Sequence, residues 1–257
     1  MDVKVRRKII LRTEEILSLA AISGLKDYVG LCHKNLKRLT QEEIYYSLYT
    51  LNKNGWISWS SLPSNNVPNQ KPLTEWKIID DDIREIFQGI LECNNILFIY
   101  QIHNAGPRFC CYVGEKVLLS EVSAADENAV KFCMYSKTDF FHELINEEIF
   151  PKLEFPLENK DVKEPYFYEN IRKELNLGEE AEYYLNKDGF QTIIDTYDSF
   201  AVKKYQRIYL YQKGLKDYLV LQRQGVREKV YLYRKDMAEK ILFREYKDNQ
   251  TDLKINM

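Results

Sequence analysis

Three histidines are the residues best suited to acid–base or metal chemistry in this sequence, and they lie far apart along it. They are His33, His103 and His142. His33 directly follows Cys32, and these two residue types together bind Zn²⁺ or form a nucleophile–base couple in many proteins. A zinc site needs further ligands at short and regular spacing, and the sequence around Cys32 and His33 supplies none. We therefore predict surface or helix-capping roles for all three histidines.

A run of three aspartates, Asp80-Asp81-Asp82, is the second candidate, because carboxylates bind hard cations. Consecutive residues on a helix point about 100° apart, so these three carboxylates cannot converge on one ion. The sequence also has no glycine-rich phosphate loop, no His-Glu-x-x-His, no paired Cys-x-x-Cys and no Gly-x-Ser-x-Gly motif. We predict no catalytic residues, no cofactor and no metal site, and hence a protein that is not an enzyme.

Composition and charge indicate an ordered globular protein that stays in the cytoplasm. The chain has 257 residues, 45% of them hydrophobic, with only 10 Gly and 7 Pro. Its five cysteines are an odd number and include the adjacent pair Cys110-Cys111, which does not suit a disulfide framework. The sequence has neither a recognisable signal peptide nor the ~18 consecutive apolar residues of a membrane helix. We therefore expect buried, reduced thiols, a cytoplasmic location and no membrane insertion.

The stretch LTQEEIYYSLYTLNKNGWISW, residues 39–59, predicts a helix that is followed by a short strand. Thr40 and Glu43 have the spacing of a capping box, so the helix begins directly after Thr40. Asn54-Gly55 ends the helix, because both residue types readily adopt the left-handed conformation. A helix, an Asn-Gly turn and an apolar strand in this order are typical of half of a winged helix.

The charge of this helix argues against the DNA-binding role that a winged helix usually has. Affinity for DNA comes largely from Lys and Arg side chains that neutralise phosphates. The helix carries Glu42 and Glu43 against the single Lys53, and the whole chain has 37 basic against 39 acidic residues. A winged-helix transcriptional regulator is therefore the alternative interpretation, and we predict no nucleic-acid partner.

Helices and a first antiparallel meander are predicted for the remainder of the first half. Helical spacing of apolar residues favours helices over 13–25 and 75–91. Beyond the second of these helices the pattern changes to short runs of strand-forming residues separated by turn signals. The predicted strands are 96–102, 108–113, 116–122 and 130–135, and a helix over 136–150 closes the unit.

The second half is predicted to repeat this order. A Pro-containing, charged connection covers 151–165, and helices are predicted over 166–200. A second meander then follows and closes with a helix. Its predicted strands are 207–213, 217–223 and 229–235, and the closing helix covers 236–246.

The two closing units can be aligned with each other, which suggests an internal duplication. Residues 131–145 and 230–243 share the order strand, polar break and helix. In this alignment Tyr135 matches Tyr233. The identity between the units is low, so the repeat is one of architecture, and a true duplication is left open.

We predict an α+β fold in which antiparallel β-meanders are flanked by helical bundles, as a pseudo-two-fold repeat of helices, sheet and helix. The first half, residues 1–155, contains the winged-helix-like segment and the first meander. The second half, residues 156–257, contains further helices and the second meander. The two halves are expected to form one continuous domain.

The second meander contains alternating tyrosines that could form a protein-binding surface. Tyr209 and Tyr211 alternate with aliphatic residues in one strand, and Tyr231 and Tyr233 do so in another. Because side chains alternate across a strand, this pattern predicts one aliphatic sheet face and one tyrosine-rich face. Tyrosine is enriched at protein interfaces, although it also favours strands and can be covered by the closing helix. Tyr209, Tyr211, Tyr231 and Tyr233 are the candidate partner-binding residues.

The order of elements resembles the EspG-like family, the cytoplasmic chaperones of type VII secretion. The resemblance lies in LRTEEILSLAAISGL (11–25), QEEIYYSLYTLNKNGWIS (41–58), DDIREIFQGILECNNILFIYQI (81–102) and the meander that ends in VKFCMYSKTDFFHELI (130–145). The second half matches the family's second unit more loosely. The sequence is rich in Lys, Ile and Asn and resembles proteins encoded by AT-rich genomes, which implies a Firmicutes counterpart of the EsaE type.

The resemblance implies a chaperone or adaptor that is a monomer or a weak dimer with a central antiparallel sheet. Its partner would be a helical-hairpin secreted protein, either WXG100-like or an LXG toxin. The chaperone would keep this cargo soluble and deliver it to the membrane ATPase of the secretion machinery. No motif of the family assigns single binding residues in this chain.

Overall fold

The structure, a computed structural model, describes residues 8–25, 29–31, 36–59, 73–101, 106–153, 190–201, 203–213, 216–223 and 226–243. The α-helices in these ranges are Thr13–Ile22 (α1), Gln41–Lys53 (α2), Asp81–Leu91 (α3), Lys137–Asn146 (α4) and Lys235–Leu242 (α5). The strands are Ile9–Arg12 (β1), Ile57–Trp59 (β2), Trp76–Ile78 (β3), Asn95–Gln101 (β4), Phe109–Val113 (β5), Val117–Ser123 (β6), Asp126–Tyr135 (β7), Phe190–Asp198 (β8), Lys203–Lys213 (β9), Lys216–Arg223 (β10) and Val226–Leu232 (β11). Two 3₁₀ turns, Leu36–Arg38 and Leu73–Glu75, precede α2 and β3.

Nine of these strands form one antiparallel sheet, which confirms the predicted α+β fold. Their order across the sheet is β1-β7-β6-β5-β4-β8-β9-β10-β11, and β2 pairs with β3 in a separate two-stranded sheet. Strands β4 to β7 form the first meander and β8 to β11 form the second. The two meanders meet where β4 pairs with β8, so one backbone hydrogen-bond network runs through both.

The two meanders are arranged as a pseudo-two-fold repeat about the β4–β8 pair. From this centre each meander runs outward through three further strands and closes with a helix, α4 after β7 and α5 after β11. Both closing helices contribute to the same core, for example through Leu144 and Ile241. The aligned Tyr135 and Tyr233 occupy equivalent positions, since each lies in this core where the last strand of its meander meets the closing helix.

The sheet separates two hydrophobic cores. One core lies under α4 and α5 and spans both meanders, from Leu119 through Leu97 to Leu219. The other core is formed by α1, α2 and α3 against the first meander, and it includes Phe87 and Leu118. Strands β4, β5 and β6 contribute to both cores, and burial on both faces explains why their sequences are nearly continuous apolar runs.

The helix predicted over 75–91 begins later than the spacing of apolar residues indicates. Strand β3 occupies the start of this range and pairs with β2, and the rings of Trp59 and Trp76 stack with their centroids 5.4 Å apart. Helix α3 begins after Asp80, whose carboxylate accepts a hydrogen bond from the Ile83 N–H at 2.9 Å. The predicted start is wrong because a strand this short is defined by its partner, which lies elsewhere in the sequence.

The helical prediction for 190–200 is also wrong, because most of this segment forms the central strand β8. Ile193 and Ile194 are both fully buried, although adjacent side chains on a strand point to opposite faces. A strand covered on both sides lacks the alternation that identifies a half-exposed strand, so its sequence was ambiguous. The helices predicted over 166–189, and residues 154–165 of the connection, lie outside the described residues.

Candidate functional site

The four candidate tyrosines do not share one face of the sheet. Residues opposite each other on neighbouring strands point to the same face. Tyr231 pairs with Leu219, and Leu219 pairs with Leu210, so Tyr231 lies on the aliphatic face. Tyr233 lies on that face too, whereas Tyr209 points to the other one. The predicted tyrosine-rich face is therefore wrong, because the register between strands decides which alternating rows align.

Tyr209 and Tyr233 are almost completely buried, with exposed fractions of 1% and 2%. Tyr233 stacks against Phe150 at 6.2 Å between ring centroids, and its hydroxyl donates a hydrogen bond to the Pro151 carbonyl at 3.2 Å. On the opposite face, the Arg207 guanidinium lies 5.9 Å from the centre of the Tyr209 ring. A partner could reach neither ring without displacing parts of the chain that cover it.

Tyr211 and Tyr231 are half-buried and lie on opposite faces of the sheet. Tyr231 packs against the core beneath α4 and α5, while Tyr211 lies opposite Tyr218 of β10. One flat partner surface cannot reach both rings. Partner binding by any of the four candidate tyrosines stays a prediction, and only Tyr211 and Tyr231 have exposed area to offer.

A buried ion pair lies on the same sheet face as Tyr209, and sequence reasoning missed it. Asp195 and Arg207 are opposite each other on β8 and β9, with exposed fractions of 2% and 8%. Arg207 Nε and Nη2 donate to the two carboxylate oxygens of Asp195 at 2.5 and 2.6 Å. Burial alone would lower the pKa of Arg207, but the hydrogen bonds and charge of Asp195 outweigh burial and raise that pKa. The pair joins β8 and β9, the two strands of the second meander nearest the first meander.

Aromatic side chains surround this ion pair. Phe98 lies opposite Asp195, and its ring meets the Tyr197 ring edge-on at 5.5 Å. Burial, and then the negative charge of Asp195, raises the pKa of Tyr100 to about 12. The same two causes raise the pKa of Tyr197. A single Asp in TIIDT and a single Arg in QRIYL were the available signals, but only the β8–β9 register shows that they meet.

Helix α2 presents two exposed tyrosines on a rigid element. Its capping box forms as predicted: Thr40 Oγ1 accepts from the Glu43 N–H at 3.1 Å, and Glu43 Oε2 accepts from the Thr40 N–H at 2.8 Å. The inner face buries Leu51 in the core that α1, α2 and α3 share. On the outer face, Tyr46 and Tyr49 have exposed fractions of 55% and 53%. Because they are three residues apart on a helix, the two rings are neighbours.

The outer face of α2 carries one charge of each sign, at opposite ends of the helix. Glu42 is exposed in the first turn of α2, and Lys53 is exposed in the last. The outer face of α2 is thus aromatic in the middle and charged at both ends, which suits contact with protein better than contact with phosphates.

In the described part of the chain, the histidines, cysteines and aspartates that could catalyse a reaction or bind a metal do not converge on one site. His142 is exposed on α4, whereas Cys32, His33 and His103 lie outside the described residues. Asp80 caps α3, so the aspartate run begins that helix. Among the described residues, no three His, Cys, Asp or Glu side chains are placed to hold a metal ion.

The four described cysteines are buried and are not joined in disulfides. Burial raises the pKa of the Cys93, Cys111 and Cys133 thiols, which therefore stay protonated at neutral pH. Because the thiolate is the reactive form, these three cysteines behave as small apolar core residues.

Comparison with known proteins adds no support to the resemblance to the EspG-like family, which is based on the order of elements alone. No protein-family model matches the sequence, and no curated protein matches it significantly. Across the residues that the structure describes, no helix combines the length and the apolar character needed to cross a bilayer. The function of this chain therefore has to be inferred from its own surfaces.

Proposed function

We propose that this protein is a chaperone or adaptor that binds a helical segment of another protein, with the outer face of α2 as part of the contact surface. The observation that carries the proposal is the exposed pair Tyr46 and Tyr49 on a capped helix whose other side is packed in a core. Tyrosine supplies a large ring and a polar tip at low entropic cost, and it is enriched where proteins meet.

The mechanism is the masking of an apolar surface. A cargo helix with an exposed apolar stripe tends to aggregate, and burying that stripe against a matching surface lowers this tendency. The two rings of α2 are held in place before binding, because the helix is fixed by its cap and by its buried face. Pre-organisation of this kind reduces the entropic cost of association, and the process requires no nucleotide.

The specific form that we propose is a cytoplasmic chaperone of a type VII secretion system, of the EspG-like kind. The cargo would be a helical-hairpin secreted protein, WXG100-like or an LXG toxin, which the chaperone keeps soluble and targets for export. Two features support this form: the order of elements that resembles the family, and an antiparallel sheet with a pseudo-two-fold repeat, as the family implies. The fold alone does not identify a function, so the cargo has to be tested directly.

A winged-helix regulator is the second candidate, and one observation favours it. Helix α1, the 3₁₀ turn, α2 and the β2–β3 pair follow each other in winged-helix order, which places α2 where a DNA-reading helix would lie. The exposed residues of α2 argue against this candidate, because Glu42, Tyr46 and Tyr49 occupy the positions at which phosphate contacts need Lys or Arg. A mobility-shift assay at low salt that shows DNA binding would favour the regulator.

The test of the chaperone proposal is co-expression with the proteins that are encoded next to this chain. We expect a soluble complex, and the double variant Tyr46→Ala/Tyr49→Ala should weaken it at least about tenfold, as buried interface tyrosines commonly do. The matched control is Phe200→Ala, which removes an aromatic ring that is 84% exposed in the other half of the chain. A complex that forms equally well with both variants would remove α2 from the contact surface. Failure of every neighbour to bind would count against the chaperone itself.

A further inference from the structure

The outer face of α2 carries one narrow stripe of four exposed residues. Glu42, Tyr46, Tyr49 and Lys53 are all exposed and lie at positions i, i+4, i+7 and i+11. At about 100° per residue these positions fall within roughly 60° of one another around the helix. The 4-3-4 spacing is that of the seam along which two helices pack in a coiled coil. The side of α2 with Leu51 packs in the protein core, so the stripe lies on the opposite, exposed side of the helix.

The stripe has a direction, because its two ends carry opposite charges. Glu42 lies at the N-terminal end and Lys53 at the C-terminal end, with the two tyrosines between them. When a second copy of the stripe is placed antiparallel to the first, its Lys53 lies opposite Glu42 and its Tyr49 lies opposite Tyr46. The pattern is therefore complementary to an antiparallel copy of itself, which is the property that a two-fold symmetric interface requires.

We propose that a second copy of this chain docks on this stripe, with the two α2 helices antiparallel, as a reversible homodimer. In this arrangement Glu42 of each copy faces Lys53 of the other, and Tyr46 of each copy packs against Tyr49 of the other. A parallel arrangement would oppose Glu to Glu and Lys to Lys, and like charges at such positions repel. Charge thus selects the orientation, while the aromatic contacts at the centre supply most of the attraction.

The size of the stripe indicates a weak association. A helix of 13 residues is about 20 Å long, so one face buries on the order of 200 Å² directly. Stable protein pairs usually bury about 800 Å² on each partner. We therefore expect the dimer to form at high protein concentration and to dissociate on dilution.

This inference goes beyond the proposed function, because it requires no cargo. It also has a consequence for that function, since a second copy on α2 covers Tyr46 and Tyr49. A cargo helix and a second copy would then exclude each other, and the free chaperone would hide its own aromatic surface. The experiment below uses the full chain alone, so its result is independent of whether a cargo is ever found.

The test is a pair of charge reversals followed by sedimentation equilibrium over a wide range of protein concentration. The E42K chain has positive charge at both ends of the stripe, and the K53E chain has negative charge at both ends. Each variant alone should dimerise at least about tenfold more weakly than the unchanged chain. An equimolar mixture of the two should recover the association, because every facing pair then has opposite charges. Lys77→Glu on β3 and Glu92→Lys at the end of α3, both exposed and on other elements, serve as control reversals.

The outcomes separate a real interface from a general effect of charge. Recovery in the E42K and K53E mixture, but no gain on mixing the two control variants, would support the antiparallel dimer. An unchanged chain that stays monomeric at every concentration would overturn the proposal. A dimer that the reversals leave untouched, or that mixing fails to restore, would overturn it as well. Far-ultraviolet circular dichroism of each variant checks that α2 is still folded.

Discussion

Asp195 and Arg207 show how two residues stabilise the centre of the sheet only while both are present. Both side chains are almost completely buried, and two hydrogen bonds from Arg207 to Asp195 join them. Loss of Asp195 leaves the Arg207 charge buried without its ion-pair partner, which costs more than an exposed ion pair contributes. The pair lies next to the junction of the two meanders, so its loss would destabilise the sheet where the two halves are joined.

We predict that Asp195→Ala lowers the free energy of unfolding by about 3–5 kcal/mol, because Arg207 then keeps its charge in a buried site. The control is Asp81→Ala, which removes the exposed ion pair of Asp81 with Arg84 and should cost about 1 kcal/mol or less. Urea denaturation followed by circular dichroism measures both values. Equal losses for the two substitutions would contradict the stabilising role of the buried pair.

Titration of Tyr100 should make the protein less stable at alkaline pH. Its pKa is raised from 10.0 to about 12, so the folded chain holds the phenolic proton more tightly than the unfolded chain does. The stability that comes from this difference is complete below pH 10 and is lost as the pH rises through about 12. Thermal melts across this window should therefore show a steeper loss for the unchanged protein than for Tyr100→Phe. Parallel pH profiles would show that Tyr100 titrates normally.

At the scale of elements, the start of α2 follows from local sequence, whereas strands depend on the segments with which they pair. Helix α2 begins at the predicted capping box, because its two hydrogen bonds join residues only three apart. Strand β3 was assigned to a helix because its partner β2 lies elsewhere in the sequence, and β8 was assigned to one because burial on both faces removes the alternation of a half-exposed strand. The predicted tyrosine-rich face is wrong for a related reason, because the alternation within β9 does not determine the register of β11.

The capping box gives a prediction at this scale. We expect Thr40→Ala to reduce the free energy of unfolding by about 1 kcal/mol, because the Glu43 N–H loses its acceptor. Gln41→Ala is the control, since this exposed neighbour should change stability by less than about 0.5 kcal/mol. Chemical denaturation of the two variants compares them directly. A larger effect at Gln41 than at Thr40 would contradict the capping role.

At the scale of the whole molecule, the β4–β8 pair makes the two meanders one structural unit. The core beneath α4 and α5 runs across this pair without interruption and contains residues from both meanders. Leu97 of β4 lies at this junction and is fully buried. A disturbance there should consequently reach strands on both sides.

We predict that Leu97→Ala lowers the free energy of unfolding by about 2–5 kcal/mol, as expected for a cavity in a well-packed core. Hydrogen exchange should show reduced protection in β5 and in β9 together, because both meanders share this core. Leu91→Ala is the control, since Leu91 is 47% exposed and its loss should cost no more than about 0.5 kcal/mol. Loss of protection confined to the first meander would show that the halves are stabilised separately.

The sequence by itself determined the α+β class, the two closing units of strand and helix, and the start of α2. These features depend on residue spacing and on contacts between near neighbours, which a single sequence displays directly. Only the tertiary structure decided that β8 joins the meanders, that Asp195 meets Arg207, and which tyrosines are buried. Each of these depends on the pairing and register of strands, which a single sequence does not display, and a shift of one residue would reverse every face.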